Sequence, residues 1–376
     1  MFSLSNLVFL FFLIASICCT TKIHVTLYYP DNNLSGSQLY IRGNGSNINW
    51  DQGTLMKQTA ANKWEIDLEI SDLANEVEFK ALVDDTTWQI GANFGLTVDS
   101  TKKTHSFVGY PWFYTTNGKY VYLRKVYSPQ LKNTRDVVTY LPPSYYENKF
   151  KRYDQVIIAC DGQNLFNKST SFLVPWYIQN TVDELISEGK MEEVVVVGID
   201  NAGEQRTVEY TYDYDPTVKD GGKADVYLDF VEDVVLPLVN SNYRLSAKKY
   251  TTLGSSLGGI LSCYAGWTRP SVYDKSVCMS SSFWWNSESF NTNILVNKPA
   301  PEPLGSFYLD SGDQGDGKDD EEETIRVREH MKKLGYTMDQ NLFYYLDKGA
   351  YHNEYYWGKR FWIPMTYLFA PSPDLV

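Results

Sequence analysis

Gly254-Ser255-Ser256-Leu257-Gly258-Gly259 follows the run Lys249-Tyr-Thr-Thr-Leu and precedes the helix-compatible Ile260-Leu-Ser-Cys-Tyr-Ala. Strand, tight turn and helix in that order, with glycines on either side of a serine, predict a nucleophile elbow. There the strand and helix backbones approach closely and the serine stands at the carboxyl edge of a sheet. Ser256 is the middle residue of this G-x-S-x-G. A glycine- and serine-rich loop has the same composition, and it is the flanking strand and helix that favour the elbow. In that setting the NH of Leu257 opens a helix, where it can donate to an oxyanion.

Around the elbow, from about residue 150, the chain alternates continuous apolar runs with helical patterns. Val156-Ile-Ile-Ala-Cys, Val194-Val-Val-Val-Gly-Ile, Ser276-Val-Cys-Met and Phe307-Tyr-Leu are separated by helical segments such as 225–241 and 322–334. Strands buried on both faces and alternating with helices predict a mostly parallel α/β sheet.

A serine hydroxyl is a weak nucleophile and needs a base, and only His330 and His352 lie downstream of the elbow. His330 falls in an amphipathic pattern with Val327, Met331 and Leu334 and reads as a helix-surface residue. His352, in Gly349-Ala-Tyr-His-Asn-Glu, follows the strand-like Leu342-Phe-Tyr-Tyr-Leu, where a base belongs. The orienting acid is left open among Asp319, Asp320 and Asp316, all in the acidic stretch after Ser306-Phe-Tyr-Leu-Asp310. Much of that stretch also reads as a solvated loop whose charge favours a helix N-terminus. The second oxyanion donor is expected at the NH of Gln163, in Cys160-Asp161-Gly162-Gln163-Asn164. The same residues read equally as an Asp-Gly turn.

The 376-residue chain carries a formal charge of -12, which argues against a nucleic-acid backbone or an anionic membrane as partner. Aromatic residues make up 15% of it, enough for exposed stacking surfaces. Residues 1–20, with an apolar run from Leu7 to Ile17, read as a signal peptide cleaved near Cys18 to Thr20, implying export. Sequons at Asn33, Asn44 and Asn167 suit that route. Cys160, Cys263 and Cys278 would remain, an odd number without the close spacing of a disulfide framework or zinc site, and they read as buried free thiols. Residues 21–110 show the short alternating runs of an antiparallel β-sandwich, among them His24-Val-Thr-Leu-Tyr-Tyr and Val77-Glu-Phe-Lys-Ala-Leu-Val. Residues 111–120, with Asn117-Gly118, read as a linker and hinge to a second domain over 121–376.

Several motifs in the second domain carry a family resemblance. Tyr127-Ser-Pro-Gln-Leu, Tyr140-Leu-Pro-Pro-Ser-Tyr-Tyr-Glu-Asn, Asp161-Gly-Gln-Asn-Leu-Phe, Val197-Gly-Ile-Asp, the elbow, Met279-Ser-Ser-Ser-Phe-Trp-Trp-Asn and Gly349-Ala-Tyr-His-Asn-Glu occur in this order. Together they resemble the esterase family of enterochelin-esterase-like enzymes, feruloyl esterases and relatives of S-formylglutathione hydrolase and the mycolyltransferases. The resemblance implies an α/β-hydrolase fold and acyl transfer to water. Ser256 would be nucleophile, His352 base, Leu257 and Gln163 the oxyanion donors, and Asp319 the acid ahead of Asp320 and Asp316. Trp284 and Trp285 are expected to wall the acyl pocket, and no metal or organic cofactor is implied.

The N-terminal segment resembles the starch-binding carbohydrate-binding module of family 20, through Gly43-Asn-Gly-Ser-Asn-Ile-Asn-Trp50, Trp64, Glu78-Phe-Lys80 and Trp88-Gln-Ile-Gly-Ala-Asn93. Carried over, Trp50, Lys80, Trp88 and Asn93 would form a sugar site, with Trp64 in the core. The resulting expectation is a secreted serine carboxylesterase acting on an ester of or near a carbohydrate, small or polysaccharide-linked, with a starch-like glucan as partner. A siderophore esterase and a non-catalytic carbohydrate-binding protein are the alternatives.

Overall fold

The computed structural model describes residues 20–71, 76–99, 101–371 and 374–375. The segment expected to be a signal peptide lies outside them, except for Thr20, which opens a strand.

The apolar runs become the centre of an eight-stranded sheet. Its strands are β1 (Lys119–Ser128), β2 (Asn133–Leu141), β3 (Val156–Ala159), β4 (Val195–Ile199), β5 (Tyr250–Ser255), β6 (Tyr273–Met279), β7 (Ser306–Gly312) and β8 (Leu342–Asp347). The spatial order is β1-β2-β4-β3-β5-β6-β7-β8. β2 pairs antiparallel with β1 and β4, and the other neighbours are parallel. Every residue of β3, β4 and β5 is buried, as strands covered on both faces require. This is an α/β-hydrolase arrangement. The order of β3 and β4 is swapped relative to the sequence, and a crevice at the carboxyl ends of the strands beside such a switch is where ligands bind in open α/β sheets.

Among the helices that follow strands at that edge are α1 (Leu257–Thr268), α2 (Glu321–Lys333) and α3 (Glu354–Arg360). Cys263 on α1 and Cys278 on β6 form a disulfide with their Cα atoms 5.9 Å apart, and Cys160 stays free. This corrects the expectation of free thiols. The helix returns directly onto the next strand, so cysteines 15 residues apart meet without any local spacing signal.

The N-terminal residues form two further sheets. One orders Lys57–Ala60, Lys63–Ser71, Thr20–Tyr28 and Thr104–Gly109; the other orders Asp374–Leu375, Phe94–Thr97, Glu76–Val83, Leu39–Gly43 and Thr54–Leu55. Period-two alternation turns Ile23, Val25 and Leu27 from one sheet, and Val77, Phe79 and Ala81 from the other, into a single core with Trp64. The pairing is not wholly antiparallel. Thr20–Tyr28 runs parallel to Thr104–Gly109, and the chain's last strand runs parallel to Phe94–Thr97.

The segment expected as a hinge is fastened. Trp112 and Phe113 are buried. The Glu147 carboxylate accepts from the NH groups of Phe113 at 2.6 Å, Tyr114 at 3.1 Å and Thr115 at 3.0 Å, and from the Tyr29 hydroxyl at 2.9 Å. One buried carboxylate, on the short helix Ser144–Glu147 after β2, thus ties Tyr29 and the connecting segment to the second domain.

Candidate active site

Ser256 joins β5 to α1 with φ 58 and ψ -124, a region that costs a non-glycine residue about 1–3 kcal/mol and persists only where surroundings enforce it. Its NH donates to the carbonyls of Met279 (3.1 Å) and Ser280 (3.2 Å), and its carbonyl accepts from the NH groups of Gly259 (3.0 Å) and Ile260 (3.1 Å). A Cβ at Gly254 would sit 2.2 Å from the Gly258 carbonyl oxygen, so strand and helix can approach this closely only with glycine there. The Ser256 hydroxyl lies 3.2 Å from that of Ser282.

His352 lies in the loop between β8 and α3. Its Nδ1 pairs with Asp319 Oδ1, and its ring stands edge-on to Trp357 with centroids 5.0 Å apart. The other Asp319 oxygen accepts from the Ser280 hydroxyl at 2.6 Å and from the NH of Gly312. Behind it, Ser280 also accepts from Trp357 Nε1 (2.9 Å) and Arg360 Nη2 (2.6 Å). Arg360 pairs in turn with buried Asp310 through Nε–Oδ2 (3.0 Å) and Nη2–Oδ1 (2.8 Å). Burial opposes charge on Asp319, but the bonds from His352, Ser280 and Gly312 hold its carboxyl below the usual carboxylate range.

Of the three candidate acids, only Asp319 reaches the histidine. Asp316 is exposed. Asp320 precedes α2 without a side-chain capping bond, and its carboxyl is pushed up to about 7, chiefly by burial, with His352 opposing and Glu323 and Asp319 adding to the rise. His330 stands half-buried in the last turn of α2 and bonds Asn291 at 2.9 Å.

Gln163 follows β3 in a short turn, Gly162–Asn164, entered through Asp161 at φ 54. Arg206 grips Asp161 with two bonds of 2.8 Å, and Asn201 Nδ2 adds a third of 2.6 Å. The NH of Asn201 donates to Gln163 Oε1 at 3.1 Å, and Gln163 lines the cavity beside Ser256. A cavity of about 760 Å³ is lined by Ser256, His352, Gln163, Asp161, Asp200, Phe172 and Leu173 among others. Asp200 is raised to about 7 by burial and by the nearby carboxylates of Asp136 and Asp161, with Arg124 opposing. Among the described residues no cluster of three or more His, Cys, Asp or Glu is suited to a metal ion.

A family model described as "Putative esterase" matches residues 128–365. The chain belongs to this esterase family. It is an ester-hydrolysing enzyme. The uncharacterized protein YbbA of Bacillus subtilis is 26% identical over 250 residues, spanning 63% of this chain and 94% of that protein. A siderophore triacetylfusarinine C esterase of Aspergillus fumigatus is 42% identical over 67 residues, only 18% of this chain and 23% of that enzyme. Among solved structures, the enterobactin esterase FES of Shigella flexneri shares the fold with a TM-score of 0.52 at 13% identity, covering 88% of this chain and 87% of its own.

The tryptophans expected to wall this esterase's acyl pocket do not line the cavity. Trp285 is buried, with its indole NH donating to the Asp213 carboxylate at 3.0 Å, and Trp284 is exposed elsewhere. Both follow the end of β6, as expected, but Trp285 packs against the Asp213 segment instead of the cavity. What sequence reasoning missed is the Ser280–Ser282 run, quoted only as part of a family motif, and Arg360, which no motif singles out.

In the N-terminal sheets, Trp50 and Trp88 stack with centroids 6.3 Å apart and are 37% and 40% exposed. Arg42 lies over Trp88 and is the strand neighbour of Lys80. Lys80 donates to the Gly91 carbonyl at 2.8 Å, and Asn93 to Glu78 at 3.2 Å. Lys80 and Asn93 line a different cavity, of about 330 Å³, whose wall includes Glu188 and Gly189 of the hydrolase part. Of the four expected sugar-site residues, Lys80 and Trp88 lie on strands and Trp50 and Asn93 in the loops beside them, and only Lys80 and Asn93 line that cavity. Trp64 is in the core, as expected.

Proposed function

We propose that this esterase works through Ser256, His352 and Asp319. His352 Nε2 takes the proton of the Ser256 hydroxyl as the oxygen attacks the ester carbonyl, and Asp319 holds the Nδ1 proton and the ring's orientation. The NH groups of Leu257 and Gln163 stabilise the tetrahedral oxyanion. As the alkoxy C–O bond breaks, His352 returns the proton to the leaving alcohol. Water then attacks the acyl-enzyme, gives its proton to His352, and the acid leaves as Ser256 recovers that proton. The observation that carries this reading is the pairing of His352 with Asp319 at a cavity that also opens on the elbow serine.

The substrate reading is an ester of or near a carbohydrate, with the two-sheet N-terminal unit acting as a sandwich module for a starch-like glucan. Two exposed, stacked indoles offer the flat apolar surface on which a glucose ring packs. Export fits the Cys263–Cys278 disulfide, since such bonds persist in oxidising compartments.

A second reading, hydrolysis of a siderophore ester, is favoured by the names of relatives such as the Aspergillus fumigatus enzyme. Against it stands the chain's formal charge of -12, which gives it little attraction for an anionic ferric chelate. Hydrolysis of p-nitrophenyl acetate, methyl ferulate and a catechol siderophore ester by wild type and Ser256→Ala separates these readings. Turnover is expected to vanish in the variant, with methyl ferulate preferred over the siderophore ester. Wild-type rates in Ser256→Ala would remove the serine from the mechanism.

A further inference from the structure

The cavity beside Ser256 has two unlike kinds of lining. Asp161, Asp200, Asn201 and Arg206 are polar, whereas Phe172 and Leu173 bring bulky apolar side chains to the same space. Phe172 is 82% exposed and Leu173 57% exposed, and Val174 after them is 42% exposed. Two large apolar residues left in water where they line the cavity, with a third beside them, form surface that gains from being covered.

The backbone that presents them is held in place. The NH of Phe172 donates to Asn164 Oδ1 at 3.0 Å, Thr170 Oγ1 donates to the Gln163 carbonyl at 2.8 Å, and the NH of Trp176 donates to the Asn164 carbonyl at 2.9 Å. The apolar pair is thus hung from the turn that carries the Gln163 amide, so whatever covers it is positioned relative to the reacting carbonyl. A free protein surface has no such registration with a catalytic turn; a substrate-recognition surface does.

We propose that Phe172 and Leu173 are specificity-determining residues that receive a bulky apolar group of the substrate. The substrate class is then an amphipathic ester, with that group on one side of the ester bond and a hydroxylated, hydrogen-bonding part facing Asp161 and Asn201 on the other. This rests on the reading of Ser256 as nucleophile, and it replaces Trp284 and Trp285 as the source of the apolar wall.

Titrimetric hydrolysis of methyl acetate, methyl hexanoate and hexyl acetate by the full chain compares esters that differ in where the apolar chain sits. The wild type is expected to prefer one of the longer esters over methyl acetate by about tenfold or more in kcat/KM, the range a hydrophobic pocket delivers. Phe172→Ser/Leu173→Ser is expected to bring that ratio down to about one, with Leu173→Ser alone intermediate. A wild-type ratio near one, or a ratio kept in the double variant, overturns the proposal. So does a proportional loss on all three esters, which is what a displaced Gln163 amide would give. Labelling of Ser256 by a small fluorophosphonate, which needs no apolar wall, reports separately on the nucleophile reading.

Discussion

Asp319 places one carboxylate oxygen on Nδ1 of His352 and the other on the Ser280 hydroxyl, which in turn accepts from Arg360. Every oxygen of this buried acid is therefore committed, and its geometry is fixed from the side away from the cavity. Amide substitution at Asp319 would place an NH2 or a neutral oxygen against Nδ1 and disturb the tautomer that a base needs. Asp319→Asn is expected to lower kcat on the order of 10⁴-fold. Asp320→Asn, one residue away and without that bond, is expected to cost less than about tenfold, because only a residue acting with the base shows the full loss. Steady-state kinetics on p-nitrophenyl acetate distinguish the two, and a larger loss at Asp320 than at Asp319 would move the acid to Asp320.

Asp320 offers a stability test of opposite sign to the usual carboxylate. Its folded-state value is raised to about 7, so between the unfolded value and 7 the native state binds more protons than the unfolded chain. Stability contributed by the protonated form is complete below the unfolded carboxylate range and is lost as pH rises towards 7. Asp320→Asn, permanently neutral, is expected to leave Tm unchanged near pH 4 and to raise it by roughly a few degrees at pH 8. Thermal melts at both values check the sign; a variant less stable at pH 8 would show that the charge is welcomed there.

Much of this was legible in the chain. Ser256 could be found because an elbow needs glycines at fixed offsets, and Gly254 meets that need against Gly258. His352 could be found because few histidines follow the elbow. Asp319 could not be separated from Asp320 and Asp316, since three carboxylates within five residues differ only in how the turn at 316–320 points them. The support behind Asp319 was invisible for a related reason: Ser280, Asp310 and Arg360 come from three distant elements. Trp284 and Trp285 misled because a strand end fixes where a side chain starts and not the direction of the turn after it. The return of the C-terminal strand to the N-terminal sheet depends on pairing between residues almost 280 positions apart, which no local pattern encodes.

The disulfide makes a prediction about thiol count. With Cys263 and Cys278 joined and Cys160 free, alkylation of the unfolded, unreduced protein is expected to modify one of these three cysteines, and all three after reduction. Closing a loop of this length stabilises a fold by about 3 kcal/mol in the chain-entropy account, so Cys263→Ser/Cys278→Ser should unfold at correspondingly lower denaturant concentration. Alkylation of all three without reductant would remove the bond, and with it one support for export.

The Trp50–Trp88 stack separates the two halves of the expected sugar site. Both rings are partly exposed and add little to the core, so their loss should cost little stability while removing the platform on which a sugar ring would stack. Trp50→Ala and Trp88→Ala are each expected to abolish retention on insoluble starch, since aromatic contacts carry a large share of such binding. Lys80 and Asn93 bond instead to Gly91 and Glu78 and line the cavity bordered by Glu188. Asn93→Ala is therefore expected to keep at least half of the retention. Equal losses at Trp88 and Asn93 would mean that the four residues grip one glucan together; no retention by the wild type would reduce the N-terminal sheets to a structural partner of the hydrolase.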